Sequence, residues 1–197
     1  RALEFDGVTD YVSLPDDILE TTSIESNGIT LSAWVKLDAI GARRAVVGQA
    51  DNQHDDFTNG GLYIDSSNRV EFMIYKNSTY TATVSSSTLS AGTWYHIVGT
   101  YDGENNDDKV RIYFNGLLET TSSALGGNML SGANDNNYIG RNSHPSDFNY
   151  FDGKITNVQI WDKVWSLSDV QYAYTHPERL ITHNSAVTSG TTISNLK

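Results

Sequence analysis

Residues 94–115 limit the fold more than any other stretch of the chain. The first part, Trp94-Tyr95-His96-Ile97-Val98-Gly99-Thr100-Tyr101, is dense in aromatic and β-branched side chains, and the second, Lys109-Val110-Arg111-Ile112-Tyr113-Phe114, alternates polar with apolar. Both patterns suit a pleated strand, whose successive side chains point to opposite faces, better than a helix. Residues 102–108 between them have the composition of a hairpin loop, and Asn115-Gly116 is a dipeptide that accepts positive φ in a tight turn back into residues 117–121. In the first strand Trp94, His96, Val98 and Thr100 alternate with Tyr95, Ile97, Gly99 and Tyr101, so both faces are partly apolar. A strand covered on both faces belongs inside a layered β structure.

The rest of the chain repeats that character. Residues 29–37 give the cleanest alternation, with Ile29, Leu31, Ala33, Val35 and Leu37 expected in the core and Trp34 on the opposite face. Further strands are expected at residues 2–5, 11–14, 45–49, 62–64, 70–74, 79–84, 137–140 and 153–161, with residues 66–68 a turn and 85–92 a connection. Ile155 falls out of phase with Val158 and Ile160, which places a bulge near Thr156 or Asn157. Ser166 and Asp169 have capping-box spacing ahead of a short helix reaching about Tyr174. Residues 122–136 carry no assignable pattern. A dozen short strands with turn signals between them and hardly any helix make an all-β sandwich. Residues 1–178 are expected to form one domain, and the Ser-, Thr- and Asn-rich residues 179–197 a linker toward a following module.

Charge narrows the partners. With 24 acidic against 13 basic side chains the formal charge is −11, a poor match to a phosphate backbone or an anionic bilayer. Neither nucleic acid nor membrane insertion is expected, and no apolar run approaches the length of a span. The chain has no cysteine, so disulfides, a thiol nucleophile and Cys-ligated zinc are out. The five histidines show no zinc spacing, and His96, mid-strand, is expected to be a hydrogen-bonded core residue. Arg1 opens straight into a strand-like run without a signal peptide, so the chain is expected to be a piece of something longer.

Six stretches in order resemble the laminin-G-like jelly-roll domains of the concanavalin A-like group. They are Leu3-Glu4-Phe5-Asp6-Gly7 with Asp10-Tyr11-Val12; Thr30-Leu31-Ser32-Ala33-Trp34-Val35; Trp94-Tyr95-His96-Ile97-Val98 with Tyr101-Asp102-Gly103; Tyr113-Phe114-Asn115-Gly116; Tyr138-Ile139-Gly140; and Gly153-Lys154-Ile155 with residues 158–161. The resemblance implies a two-sheet antiparallel jelly-roll sandwich with one short C-terminal helix and with the first strand lying near the last. Motif order and spacing are similar to pentraxins, in which an Asp-Asn pair after an early strand and an acidic run after an Ile-x-x-Gly strand build a calcium-dependent ligand site. Asp51-Asn52 stands where the pair is needed, whereas residues 141–147 offer a single carboxylate, Asp147.

Residues 51–59 pack three carboxylates, two Asn and one Gln into nine positions, a donor set that suits Ca²⁺ and equally suits an acidic solvated loop. Asp51, Asn52, Asp55, Asp56 and Asp147 are the candidate metal ligands. His54, Phe57 and Asn59, with Asn142, Phe148 and Tyr150, are the candidate ligand contacts, since sugars are held by aromatic faces and planar hydrogen-bonding groups. Asp6, Asp10 and Asp152 form a second candidate, a structural Ca²⁺ site, if the terminal strands pair; ordinary Asp-Gly turns explain the same letters. Glycoside hydrolysis needs two placed carboxyl groups. No Glu-x-Asp-x-Glu run occurs, Glu71 and Glu119 stand singly, and Tyr75, His96 and Arg111 remain as a lyase-like set. The expectation is a non-catalytic, calcium-assisted carbohydrate-binding or adhesion module of a larger extracellular, cell-surface or virion-surface protein. The alternatives are a structural or protein-binding domain and, further off, a polysaccharide-degrading enzyme.

Overall fold

The alternating stretches pair into two sheets. A computed structural model describes residues 1–15, 27–51, 60–76, 79–103, 107–126, 135–142, 148–179 and 181. Among these residues twelve strands form: β1 (Leu3–Asp6), β2 (Val12–Leu14), β3 (Ile29–Leu37), β4 (Arg44–Asp51), β5 (Gly61–Ile64), β6 (Arg69–Lys76), β7 (Thr79–Thr88), β8 (Trp94–Tyr101), β9 (Val110–Phe114), β10 (Leu117–Thr121), β11 (Asp135–Ile139) and β12 (Asp152–Trp161). A short helix, α1 (Leu167–Thr175), follows. The first sheet runs β1-β12-β3-β8-β9-β10 and the second β2-β11-β4-β5-β6-β7, every pair antiparallel. This is the expected jelly-roll sandwich, with β1 paired to β12.

The inner faces close on one another. Leu31, Val35, Ile97 and Ile112 of the first sheet share a core cluster with Val47, Leu62, Ile64, Phe72 and Ile74 of the second. Burying each such side chain stabilises the fold by about 1.5–3 kcal/mol. Gly99 interrupts the β8 pattern because a Cβ there would lie 1.8 Å from the Phe72 ring. The glycine is the socket into which a fully buried phenylalanine fits.

The opposite face of β8 is also covered, as its two-sided apolarity requires. Val98 and Tyr113 pack with Trp161, Trp165, Val170, Ala173 and Ile181 beneath and beside α1. The helix begins as expected: the Ser166 side chain accepts from the Asp169 N–H while the Asp169 carboxylate accepts from the Ser166 N–H. Ile181 is buried in this cluster, three residues past position 178. Residues 182–197 lie outside the described residues.

Several strands run longer than their sequence pattern, β7 and β11 among them. β7 continues past Val84 to Thr88 across a register shift opposite Arg69 and Glu71. Ser85 Oγ repairs the ladder there, accepting from the Val70 N–H at 2.9 Å and donating to the Ser87 carbonyl at 2.7 Å. β11 starts at Asp135 because it follows β4 to its end, pairing Asp135 with Asp51. The β12 bulge falls where the phase break placed it, between Thr156 and Gln159, with Asn157 at φ 48°. Between the sheets, Lys76 at the end of β6 reaches Asp108 at 2.6 Å and Tyr101 at 3.1 Å, and along the free edges Glu119 of β10 accepts from Ser86 and Ser87 of β7.

Candidate functional site

The connection from β11 to β12 folds back onto the second sheet, and Gly48 makes room for it. A Cβ on Gly48 would meet the Arg141 carbonyl at 2.9 Å and Asn142 Cα at 3.0 Å. The Asn142 N–H donates to the Phe148 carbonyl (2.7 Å), joining the two arms of the loop, and the Ala45 N–H donates to the Asn149 carbonyl (2.8 Å), pinning the second arm to β4.

An aromatic cluster gathers around Arg141. Its guanidinium lies 3.9 Å from the ring centre of Tyr11, 4.0 Å from Tyr138 and 5.1 Å from Phe148. Tyr11 and Tyr138 meet edge to face at 5.4 Å, and Phe148 stands 5.5 Å from Tyr150. Tyr11 is exposed, while Tyr138, Phe148 and Tyr150 are half-buried. A planar cation held between rings fixes their orientation. The result is a rigid aromatic rim at the β2-β11 edge.

Two of the expected ligand contacts, Phe148 and Tyr150, belong to this rim. Asn142 does not: it is fully buried under the loop and serves packing. Asn52, His54, Asp55, Asp56, Phe57, Asn59 and Asp147 lie outside the described residues. Asp51 closes β4 directly opposite Asp135 in the register, three residues along the same strand pair from Gly48 and Tyr138. Tyr11, Tyr138 and Arg141 were not among the sequence candidates. Their signal is phase, because Tyr11 and Tyr138 each precede a core-facing residue, Val12 and Ile139.

The terminal carboxylates are engaged otherwise. Asp6 and Asp152 stand opposite each other in the β1-β12 ladder. The Asp6 carboxylate accepts from the Thr9, Val8 and Asp10 N–H groups and from the Thr9 hydroxyl, and these hydrogen bonds hold it well below the usual carboxylate range. Asp152 pairs with Arg44 at 3.2 Å, and Asp10 accepts from the Asp6 N–H at 3.1 Å. Among the described residues no group of three or more His, Cys, Asp or Glu side chains could hold a metal ion. The Asp-Gly letters here serve turns and an ion pair.

Beside the rim the outer face of the second sheet is closed by a small cluster of Ala45, Tyr63 and Met73. Arg43 lies 4.4 Å above the Tyr63 ring and bridges to Glu71 at 2.7 Å. Tyr63 is fully buried, burial pushes its pKa up, and its hydroxyl has no hydrogen-bond partner among the described residues. Glu71 and Glu119 are each committed to these local partners. Tyr75 lies on β6 in one sheet, whereas His96 and Arg111 lie on β8 and β9 in the other, so the fold does not gather the lyase-like set.

A model of the concanavalin A-like lectin/glucanases superfamily matches residues 6–171. No curated protein matches the sequence significantly. Solved structures do match in fold. A heptameric SAP-like pentraxin from Limulus polyphemus has a TM-score of 0.61 at 15% identity, over 87% of this chain and 80% of that one. Domain 4 of AbnA, an extracellular arabinanase from Geobacillus stearothermophilus solved with arabinotriose, has a TM-score of 0.63 at 19% identity, over 86% of this chain and 74% of that one. The K499G mutant of NanB sialidase from Streptococcus pneumoniae has a TM-score of 0.68 at 15% identity, over 86% of this chain but only 27% of the sialidase.

Proposed function

The chain belongs to the concanavalin A-like lectin/glucanase superfamily, and from that premise we propose that it is a non-catalytic carbohydrate-binding module. The observation that carries this reading is the rim of Tyr11, Tyr138 and Phe148 locked around Arg141 at one sheet edge. Aromatic rings with a solvent-facing side supply the apolar contact that a pyranose face needs, and a site held in advance avoids ordering costs on binding. Among the described residues the acids expected of a glycosidase or lyase are dispersed or paired, which favours recognition over chemistry.

Calcium enters the proposal through Asp51. It closes β4 opposite Asp135 in the β4-β11 register, at the head of the Asp- and Asn-rich residues 51–59. A Ca²⁺ ion held by Asp51 with Asn52, Asp55, Asp56 and Asp147 would draw on the oxygen donors this cation prefers, and Asp51 stands three residues along the strand pair from Tyr138, about 10 Å. The module then serves adhesion within a larger extracellular, cell-surface or virion-surface protein.

The test is a neutral and acidic glycan panel run with Ca²⁺ and with EDTA on the parent chain, Tyr138→Ala and Asp51→Ala. Binding that needs Ca²⁺ and weakens at least about tenfold in either variant is the expected result, corresponding to about 1.4 kcal/mol. A panel without any binder would point instead to a structural or protein-binding domain.

A further inference from the structure

The outer face of the first sheet carries residues that the rim on the second sheet leaves unused. One ladder row crosses four strands there: Glu4 opposite Lys154, Lys154 opposite Lys36, and Lys36 opposite Trp94. Their neighbours Phe5, Ile155 and Val35 point into the core, so these four share the opposite face. Lys154 Nζ is 2.6 Å from Glu4 Oε1. Lys36 makes no such pair among the described residues; its Nζ lies 6.0 Å from the centre of the Trp94 ring.

This row departs from the rest of the molecule in charge. On a chain of net charge −11, two lysines sit at directly opposite positions, and Glu4 pairs directly with Lys154 while acting on Lys36 only at longer range. Trp94 beside them is 36% exposed. Two positions back along β3, Trp34 is half-buried and stacks on Tyr174 of α1 at 5.6 Å and 12°, giving the row an aromatic wall. From Lys154 to Trp94 is two strand spacings, about 10 Å, room for one or two sugar rings.

We propose that the Lys154-Lys36-Trp94 row is a calcium-independent subsite for a carboxylated sugar, a uronic-acid oligosaccharide. Lys36 takes the carboxylate in a charge-assisted hydrogen bond, Lys154 adds a second positive charge, and the indole of Trp94 receives the face of the ring. The Lys36 ammonium, which has no direct ion pair among the described residues, is the recognition element for an anionic ligand. The subsite goes beyond the glycan site on the second sheet and requires neither its loop nor a metal.

The experiment is a titration with trigalacturonic acid in EDTA at low salt, followed by tryptophan fluorescence and calorimetry. Its fully methyl-esterified trimer serves as the neutral control. The variants are Lys36→Met, which keeps the aliphatic stem, and Trp94→Ala, each checked by melting. The acid should bind, the ester and both variants should bind at least about tenfold more weakly, and added NaCl should weaken the acid alone. No binding of the acid in EDTA, equal binding of the ester, or parent-like binding by Lys36→Met overturns the proposal. Binding of the acid that appears only with Ca²⁺ also overturns it, because the site would then be the other one. Loss of the calcium-dependent panel alone, with EDTA-resistant binding intact, counts only against the second-sheet rim.

Discussion

His96 shows how much a single residue depends on the layer placed over it. It is 1% exposed, shares a hydrogen bond of 3.0 Å with Ser32 and packs against both Trp34 and Tyr174, and burial holds its pKa at about 4. In the unfolded chain it titrates near 6.5, so below that pH the unfolded state takes up a proton that the native state refuses. Its contribution is therefore intact above about pH 6.5 and is lost as pH falls toward 4, by at most about 1.4 kcal/mol per unit. Urea unfolding at pH 7, 5.5 and 4.5 should show this slope, and His96→Gln should flatten it. Tyr63 makes the opposite case. Its buried hydroxyl lacks a partner among the described residues, so Tyr63→Phe should leave stability unchanged or raise it by up to about 1 kcal/mol in the same assay. The hydrogen-bonded, mid-strand setting of His96 was legible in the sequence because alternation fixes its face. Arg141 was not, since three rings from β2, β11 and the loop converge on it only once the register is set.

At the scale of the element, local chemistry was read best where it acts over three or four residues. The Ser166-Asp169 box starts α1, and the Ile155 phase break marks the β12 bulge. Ser166→Ala removes the acceptor for the Asp169 N–H and should cost about 1 kcal/mol in chemical unfolding, with faster hydrogen exchange in the first helical turn. The ends of β7 and β11 were illegible for a physical reason. Ser, Asp and Asn carry no strand preference of their own, and residues 85–87 and 135–136 are extended because β6 and β4 offer them unpaired backbone groups.

The whole molecule is two layers whose edges are tied by polar links instead of more strands. Lys76, at the end of the inner strand β6, makes a more buried link between the sheets, 4% exposed, with Asp108 and Tyr101 as partners. Lys76→Met fits the space and removes the charge partner of Asp108, which keeps the Tyr101 hydroxyl and the Gly126 N–H, and denaturant unfolding should show a loss of about 1–3 kcal/mol. Layering was legible because strands apolar on both faces have few other homes. The pairing of the chain's first strand with its last came from the family resemblance, since a four-residue strand such as β1 does not announce its partner. That pairing has a mechanical consequence. Leu3 faces Ile155 and Asp6 faces Asp152, so the backbone before β1 and the backbone after β12 leave the ladder in the same direction. A pull applied between them loads the hydrogen bonds in succession, as in a zipper, and never all together in shear. Under tension β1 peels from the edge one residue pair at a time, at low force, and Phe5 leaves the core with it.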